Sequence, residues 1–283
     1  MAQPTFDLQS HSTCSDGALP PRAVVAAARA AGVELLALSD HDTVDGIDEA
    51  LEAAAAEGLR VVPATELSSI DGDHEDLHVL GYGVDHCSPA LLDALERFRA
   101  DRFARGERMA AALREAGLEL DFPDRGGRPV GRPHLAMAAF EHPANSMRLR
   151  EEGIVNFSQL LERYLVAGAP AYRRRTTPTV AEAIETIHAA GGAAVWAHPF
   201  WDLEAGAEVL DAIDRFAGMG LDGVEAFYVT HTESQTRLVA EHCAARGLLS
   251  TGSADFHGPD HPRFNRFRAF ELHGLEPDLG PFR

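Results

Sequence analysis

Residues 34–42 read ELLALSDHD, that is Glu34, Leu35, Leu36, Ala37, Leu38, Ser39, Asp40, His41, Asp42. A short apolar run stops abruptly at three ionisable groups. A run of this length, bounded by helical segments, fits a buried strand of a parallel sheet better than an exposed, alternating one. On its N-terminal side AVVAAARAAG (23–32) has helix composition and ends at Gly32, a residue suited to the left-handed position after a helix. On its C-terminal side GIDEALEAAAAEG (46–58) is again helical and stops at Gly58.

The alternation continues outward. A first strand lies around Phe6, Asp7 and Leu8, a third in RVVPATELS (60–68) and a fourth in LHVLGYGV (77–84). After a gap, TVAEAIETIHAAGG (179–192) reads as a helix with a Thr cap and a Gly stop. AAVWAHP (193–199), GVEAFYV (223–229) and LLSTGSADFH (248–257) supply strands five to seven, with helices before the last two. Such β-α-β-α runs predict an α/β chain with a parallel sheet and crossover helices. From about Ser88 to Pro170 the pattern is mostly helical, broken by a Gly/Pro-rich stretch from Phe122 to Pro133. The predicted division is a parallel-sheet domain over 1–90 and 171–283 and a helical insertion over 91–170.

Composition narrows the function. The formal net charge is -19, which argues against neutralising the phosphates of long nucleic acid. A small phosphorylated substrate is compatible, because bound divalent metals invert the local field. The chain contains no lysine, so a phosphate clamp must use arginine, histidine, backbone N–H groups or metal. Three cysteines without CxxC spacing predict no disulfide framework and a reduced, cytoplasmic setting. No long apolar run predicts a membrane span, and the start lacks signal-peptide character.

The ends of the predicted strands carry the chemistry. The first ends in Gln9 and His11, the second in Asp40, His41 and Asp42, and the third in Glu66. The fourth has His78 at its start. The fifth ends in His198, the sixth carries Glu225 near its middle with His231 beyond it, and the seventh ends in Asp255 and His257. In a parallel barrel the strands' C-terminal ends converge on one face, where active sites lie. One histidine at a strand end is an ordinary hydrogen-bonding group, but five strand ends repeat the pattern. Imidazole and carboxylate donors suit zinc, manganese or iron, and a carboxylate such as Glu66 can bridge two of them. Paired metals can clamp a phosphoryl oxygen and activate a water.

The segments HSTCSDG, LALSDHDT, ATELS, LHVLGYG, AHP and GSADFH resemble, in order, the motifs of the polymerase and histidinol phosphatase (PHP) metal-dependent phosphoesterases. The ordered set is specific and spans most of the chain outside the insertion. The resemblance implies a distorted seven-stranded (β/α) barrel with a helical insertion and two or three divalent ions (Mn, Zn or Fe). It implies that His11, Glu66 and Asp255 serve one metal, that Glu66, His78 and His198 serve a second, and that Asp16, His41 and His257 serve a third. The family's first motif is His-x-His, and its first histidine falls on Gln9. Glutamine offers only a neutral carbonyl oxygen, so Gln9 is either a weak ligand or a pocket residue.

GRPHLA resembles the segment that supplies an arginine and a histidine over the metals, here Arg132 and His134. AYRRRTT brings Arg173, Arg174 and Arg175 as candidates for a second phosphate, since the guanidinium fork suits bidentate phosphate binding. The implied activity is phosphomonoester hydrolysis by a metal-activated hydroxide, with nucleoside 3′,5′-bisphosphates as the substrate class. Three alternatives stand beside it: a 5′–3′ exonuclease on short oligonucleotides, an amidohydrolase-type barrel, and a catalytically silent metal-binding module. Oligomeric state is open.

Overall fold

Of ELLALSDHD, only Leu35–Leu38 forms a strand (β2), and all four residues are buried. Ser39 to Asp42 continue beyond it as irregular chain at the end of the barrel. The structure is a computed structural model that describes residues 3–124, 126 and 130–283, so part of the Phe122–Pro133 stretch lies outside the described residues.

By contacts the described chain divides into two compact units, Met1–Leu95 with Pro178–Arg283, and Glu96–Thr177. The first holds β1 (Phe6–Asp7), α1 (Pro21–Ala30), β2, α2 (Ile47–Glu57), β3 (Arg60–Asp71) and β4 (His74–Tyr82). Helix α3 (Pro89–Glu115) begins in this unit and continues into the helical one. The helical unit adds α4 (Arg132–Glu141), α5 (Ser146–Glu151) and α6 (Phe157–Tyr164). The first unit resumes with α7 (Val180–Ala189), β5 (Ala193–Trp196), α8 (Gly206–Ala217), β6 (Gly223–Tyr228), α9 (Glu233–Arg246) and β7 (Leu249–Ser253).

The seven strands pair in chain order, β1 to β7. β7 returns to β1 through Leu8 N to Gly252 O (3.2 Å) and His11 N to Phe256 O (2.8 Å), so the sheet nearly closes into a barrel. The expected all-parallel sheet is corrected at one strand. β4 is antiparallel to both β3 and β5. Its link to β3 is only Gly72 and Asp73, too short for a crossover helix and suited to a hairpin. β3 is also longer than the apolar run suggests: it reaches Asp71, so Glu66 lies mid-strand and not at the strand's end.

The helices start and stop where side chains satisfy their ends. Thr179 and Glu182 form a reciprocal cap on α7, and Thr232 and Gln235 do the same on α9. Gly58 and Gly247 close α2 and α9 in the left-handed conformation. The barrel core is lined by fully buried Leu36, Leu38, Leu67, Leu80, Trp196 and Phe227. Each such side chain contributes roughly 1.5–3 kcal/mol by burial. The helical unit has its own core of Met109, Leu113, Leu118, Leu135, Leu160 and Tyr164. Among the described residues no helix is long and apolar enough to cross a membrane.

Candidate metal centre

The segment after β1 is held on both sides. Ser39 N donates to Ser10 O (2.9 Å), while His11 N donates to Phe256 O. In extended chain Gln9 and His11 share one face, by the period of two. The chain then turns sharply through Ser12–Gly17. A Cβ at Gly17 would stand 2.3 Å from His11 O, so only glycine fits. This turn brings Asp16 back over His11, with Oδ1 3.6 Å from Nδ1.

The second strand end separates three roles. Asp40 accepts from Ser12 N (2.7 Å), Ser12 Oγ (2.6 Å) and Ser15 Oγ (2.6 Å), and so fixes the Ser12–Gly17 turn. Asp42, at φ 52°, accepts from Ser68 N (2.9 Å) and Ser68 Oγ (3.1 Å) instead of capping a helix. His41, between them, turns toward Glu66, with Nδ1 3.3 Å from Oε2.

Glu66 is the hub. Its Oε2 lies 3.1 Å from His11 Nε2, and its Oε1 lies 2.9 Å from His78 Nδ1 and 3.2 Å from His198 Nε2. The reversed β4 explains His78: in an antiparallel strand a residue near the start reaches the face that the parallel strands reach at their ends. Asp255 Oδ1 is 3.1 Å from His11 Nε2, and its Oδ2 accepts from Tyr228 OH (2.8 Å). His257 lies 3.5 Å from Asp16 on one side and 3.5 Å from Asp255 on the other. His198 and Asp255 both hold positive φ, 31° and 53°, which costs on the order of 1–3 kcal/mol each and is common at functional sites. The His198 N–H is tied to Glu225 Oε2 (2.9 Å).

All eight residues expected to hold metals therefore meet in one cluster of the barrel unit. Their donor atoms fit that chemistry. His11 Nε2, His41 Nδ1, Glu66 Oε2 and Asp255 Oδ1 are buried and have no hydrogen-bond partner, although they approach one another closely. Unpartnered buried donors are costly, and a divalent cation would satisfy several at once. Within 4.8 Å of one another lie donor atoms of His11, Asp16, His41 and His257, and separately those of His41, Glu66 and His78. His41 thus belongs to both groups, a grouping different from the one the resemblance implies. Burial pushes against the Glu66 charge, yet His41, His78 and the other imidazoles hold its carboxyl well below the usual range. Burial lowers His41 to about 4, leaving its ring neutral and able to ligate at neutral pH.

The other expected residues lie in the helical unit. Arg132 opens α4, and His134 Nδ1 accepts from Gly131 N (3.1 Å), capping that helix. Arg173 donates to Tyr172 O (2.8 Å) and Pro170 O (3.1 Å), while Arg174 is exposed. The supporting residues Tyr228, Glu225 and Ser253 were not singled out as site residues. Only Glu225, a carboxylate inside the apolar run GVEAFYV, gave a signal. A groove of about 610 Å³ in the barrel unit is lined by Asp71, Asp202, Glu208, Asp211 and Arg215, a surplus of negative charge that disfavours an anionic ligand.

Comparison with known proteins agrees with this geometry. Residues 7–190 match the PHP domain. A Haemophilus influenzae protein named 5′-3′ exoribonuclease is 34% identical over 255 residues, covering 90% of this chain and 90% of its own. A Chromobacterium violaceum protein named 3′,5′-nucleoside bisphosphate phosphatase is also 34% identical, over 256 residues, covering 90% of this chain and 87% of its own. A solved C. violaceum structure, described as an amidohydrolase with bound sulfate and no metal, superposes with a TM-score of 0.74 at 31% identity, covering 99% of this chain and 93% of that one. The chain belongs to the PHP family.

Proposed function

We propose that this protein is a metal-dependent phosphoesterase that hydrolyses small phosphomonoesters, with nucleoside 3′,5′-bisphosphates as its substrate class. The observation that carries this reading is Glu66: one buried carboxylate approached by four imidazoles, with lone pairs left unsatisfied. His11, Asp16, His41, Glu66, His78, His198, Asp255 and His257 are the proposed ligands. Manganese, zinc or iron held there would polarise the phosphoryl oxygens and supply a nucleophilic water near neutral pH.

The chain's own residues hold the arrangement rigid. Tyr228 fixes Asp255, Asp40 fixes the turn that carries Asp16, and Asp42 with Ser68 fixes the approach of His41. Preorganised donors of this kind cost no rearrangement when charge develops on phosphorus. Arg132, His134, Arg173 and Arg174 are the proposed contacts to a second phosphate. The proposed setting is the cytoplasm, with no long nucleic acid as partner.

The relatives' names carry both readings, a 5′-3′ exoribonuclease and a 3′,5′-nucleoside bisphosphate phosphatase each matching at 34% identity. The test is phosphate release by the manganese-, zinc- or iron-loaded protein from nucleoside 3′,5′-bisphosphates, nucleoside monophosphates and 5′-labelled short oligoribonucleotides. Faster turnover of bisphosphates supports the proposal. Stepwise shortening of the oligomers with inert bisphosphates selects the exonuclease reading. No hydrolysis of any ester by a metal-loaded chain overturns both.

A further inference from the structure

Gln9 departs from the family pattern at a fully buried position, two residues before His11 and on the same face of the extended chain. One end touches Ser253 Oγ at 3.3 Å. In this orientation the other end is an NH₂ buried without any acceptor. Ser253 Oγ also contacts Glu225 Oε1, the closer of its two contacts. A hydroxyl has one proton, so it cannot donate to both Glu225 and Gln9. Glu225 Oε2 already accepts from the backbone N–H of His198, the residue whose ring reaches Glu66.

If Ser253 donates to Glu225, its oxygen is left as an acceptor. The group beside it on Gln9 should then be the NH₂. A half-turn of the amide achieves this without a change of shape, and moves the carbonyl oxygen to the position that has no partner. An orphan carbonyl is tolerated better than an orphan N–H, and next to a cation it ceases to be an orphan. The half-turn thus repairs both faults in the hydrogen bonding.

We propose that Gln9 is a neutral oxygen ligand to a divalent cation of the cluster, oriented by a relay in which Glu225 accepts from Ser253 and Ser253 accepts from the Gln9 NH₂. Ser253 and Glu225 are positioning residues: they set the amide's direction and, through His198, one imidazole of the same cluster. Carbonyl oxygen in place of imidazole moves the donor set toward metals that favour oxygen, so this position prefers Mn²⁺ relative to Zn²⁺ more than a histidine would. The proposal rests on the phosphoesterase reading for the presence of divalent cations. The reverse relay, with Glu225 O–H donating to Ser253 and Ser253 to Gln9 Oε1, would aim NH₂ at the cations and make Gln9 repulsive.

The two relays give opposite results in metal titration of the full chain by calorimetry and elemental analysis. As proposed, Gln9→Leu lowers Mn²⁺ affinity at one site and leaves the others unchanged. Ser253→Ala weakens the same site by about 10–100-fold, the usual effect of losing a ligand's supporting partner. Ser253→Thr, which keeps the hydroxyl, restores it, and Gln9→His shifts that site toward Zn²⁺. Unchanged or tighter Mn²⁺ binding by Gln9→Leu overturns the proposal. Where thermal melting shows that Gln9→Leu does not fold, the Ser253→Ala and Ser253→Thr pair decides in the same way. A wild-type chain that takes up no divalent metal instead overturns the phosphoesterase reading itself.

Discussion

Two buried tyrosines and the carboxylates they touch contrast the barrel unit with the helical unit. In the helical unit, Tyr164 donates to Glu152 (2.7 Å) while Arg148 Nε donates to the same carboxylate (2.7 Å) and Arg148 Nη2 to the tyrosine oxygen (3.1 Å). Every partner of this trio is present. In the barrel unit, Tyr228 donates to Asp255 Oδ2, but Asp255 Oδ1 faces His11 with no hydrogen bond. Glu66, fully buried, has the same deficit at Oε2. A protein built only for stability closes such networks, since an open one costs about 1–3 kcal/mol per unsatisfied group. The barrel leaves several open at one place, which is the physical mark of a site completed by something else.

The sharpest way to break this contrast is Glu66→Gln. If Glu66 bridges metals, the substitution removes a shared anionic ligand. Metal content and phosphate release should fall together, the activity by more than the roughly 10–100-fold seen when only a ligand's supporting partner is lost. A variant that keeps full metal content and turnover would show that the open network is a structural accident.

A smaller effect is expected from the helical unit's proposed substrate residue. Arg132→Ala should raise KM for a nucleoside 3′,5′-bisphosphate by about 10–100-fold, matching the ~1.5–3 kcal/mol of a hydrogen bond to a charged group. KM for a simple monophosphate should change little. Equal loss on both substrates, or none on either, would remove Arg132 from second-phosphate binding.

Most of the barrel's proposed ligands were legible because two signals coincide: an apolar run of strand length, then His, Asp or Glu. His41 and His198 are legible on that basis. The direction of β4 was not read from LHVLGYGV, although two facts pointed to it. Its proposed ligand, His78, stands at the start of the run, and the preceding Asp-Gly-Asp (71–73) is a hairpin turn and not a crossover. The duties of Asp40 and Asp42 were hidden because they depend on distant partners, Ser12, Ser15 and Ser68, which no local pattern joins to them. Tyr228 was hidden for the same reason. The arginines of GRPHLA and AYRRRTT had composition but no periodic signal, so their part in binding remains with the Arg132 experiment.

The smallest expected effect tests the closed side of the contrast. Tyr164→Phe removes one donor from Glu152 and one acceptor from Arg148, with Tyr164 itself buried and Glu152 partly so. Solvent reaches both charged partners, so the loss should be about 1 kcal/mol, well below that of a fully buried charged pair. Metal content and KM should not move, because Tyr164 belongs to the helical unit's core and not to the cluster. The pH dependence has a definite sign. Partial burial works to raise the Glu152 carboxyl, but hydrogen bonds from Arg148 and Tyr164 outweigh it and hold it below its ordinary value. A depressed carboxyl contributes stability above its unfolded value, near 4.5, and loses it as pH falls through the folded one. Wild type and Tyr164→Phe should therefore differ most in denaturant midpoint at neutral pH and converge in acid. A difference that persists unchanged at low pH would mean that the tyrosine acts through packing alone, and that the helical unit's trio is no better closed than the barrel's open one.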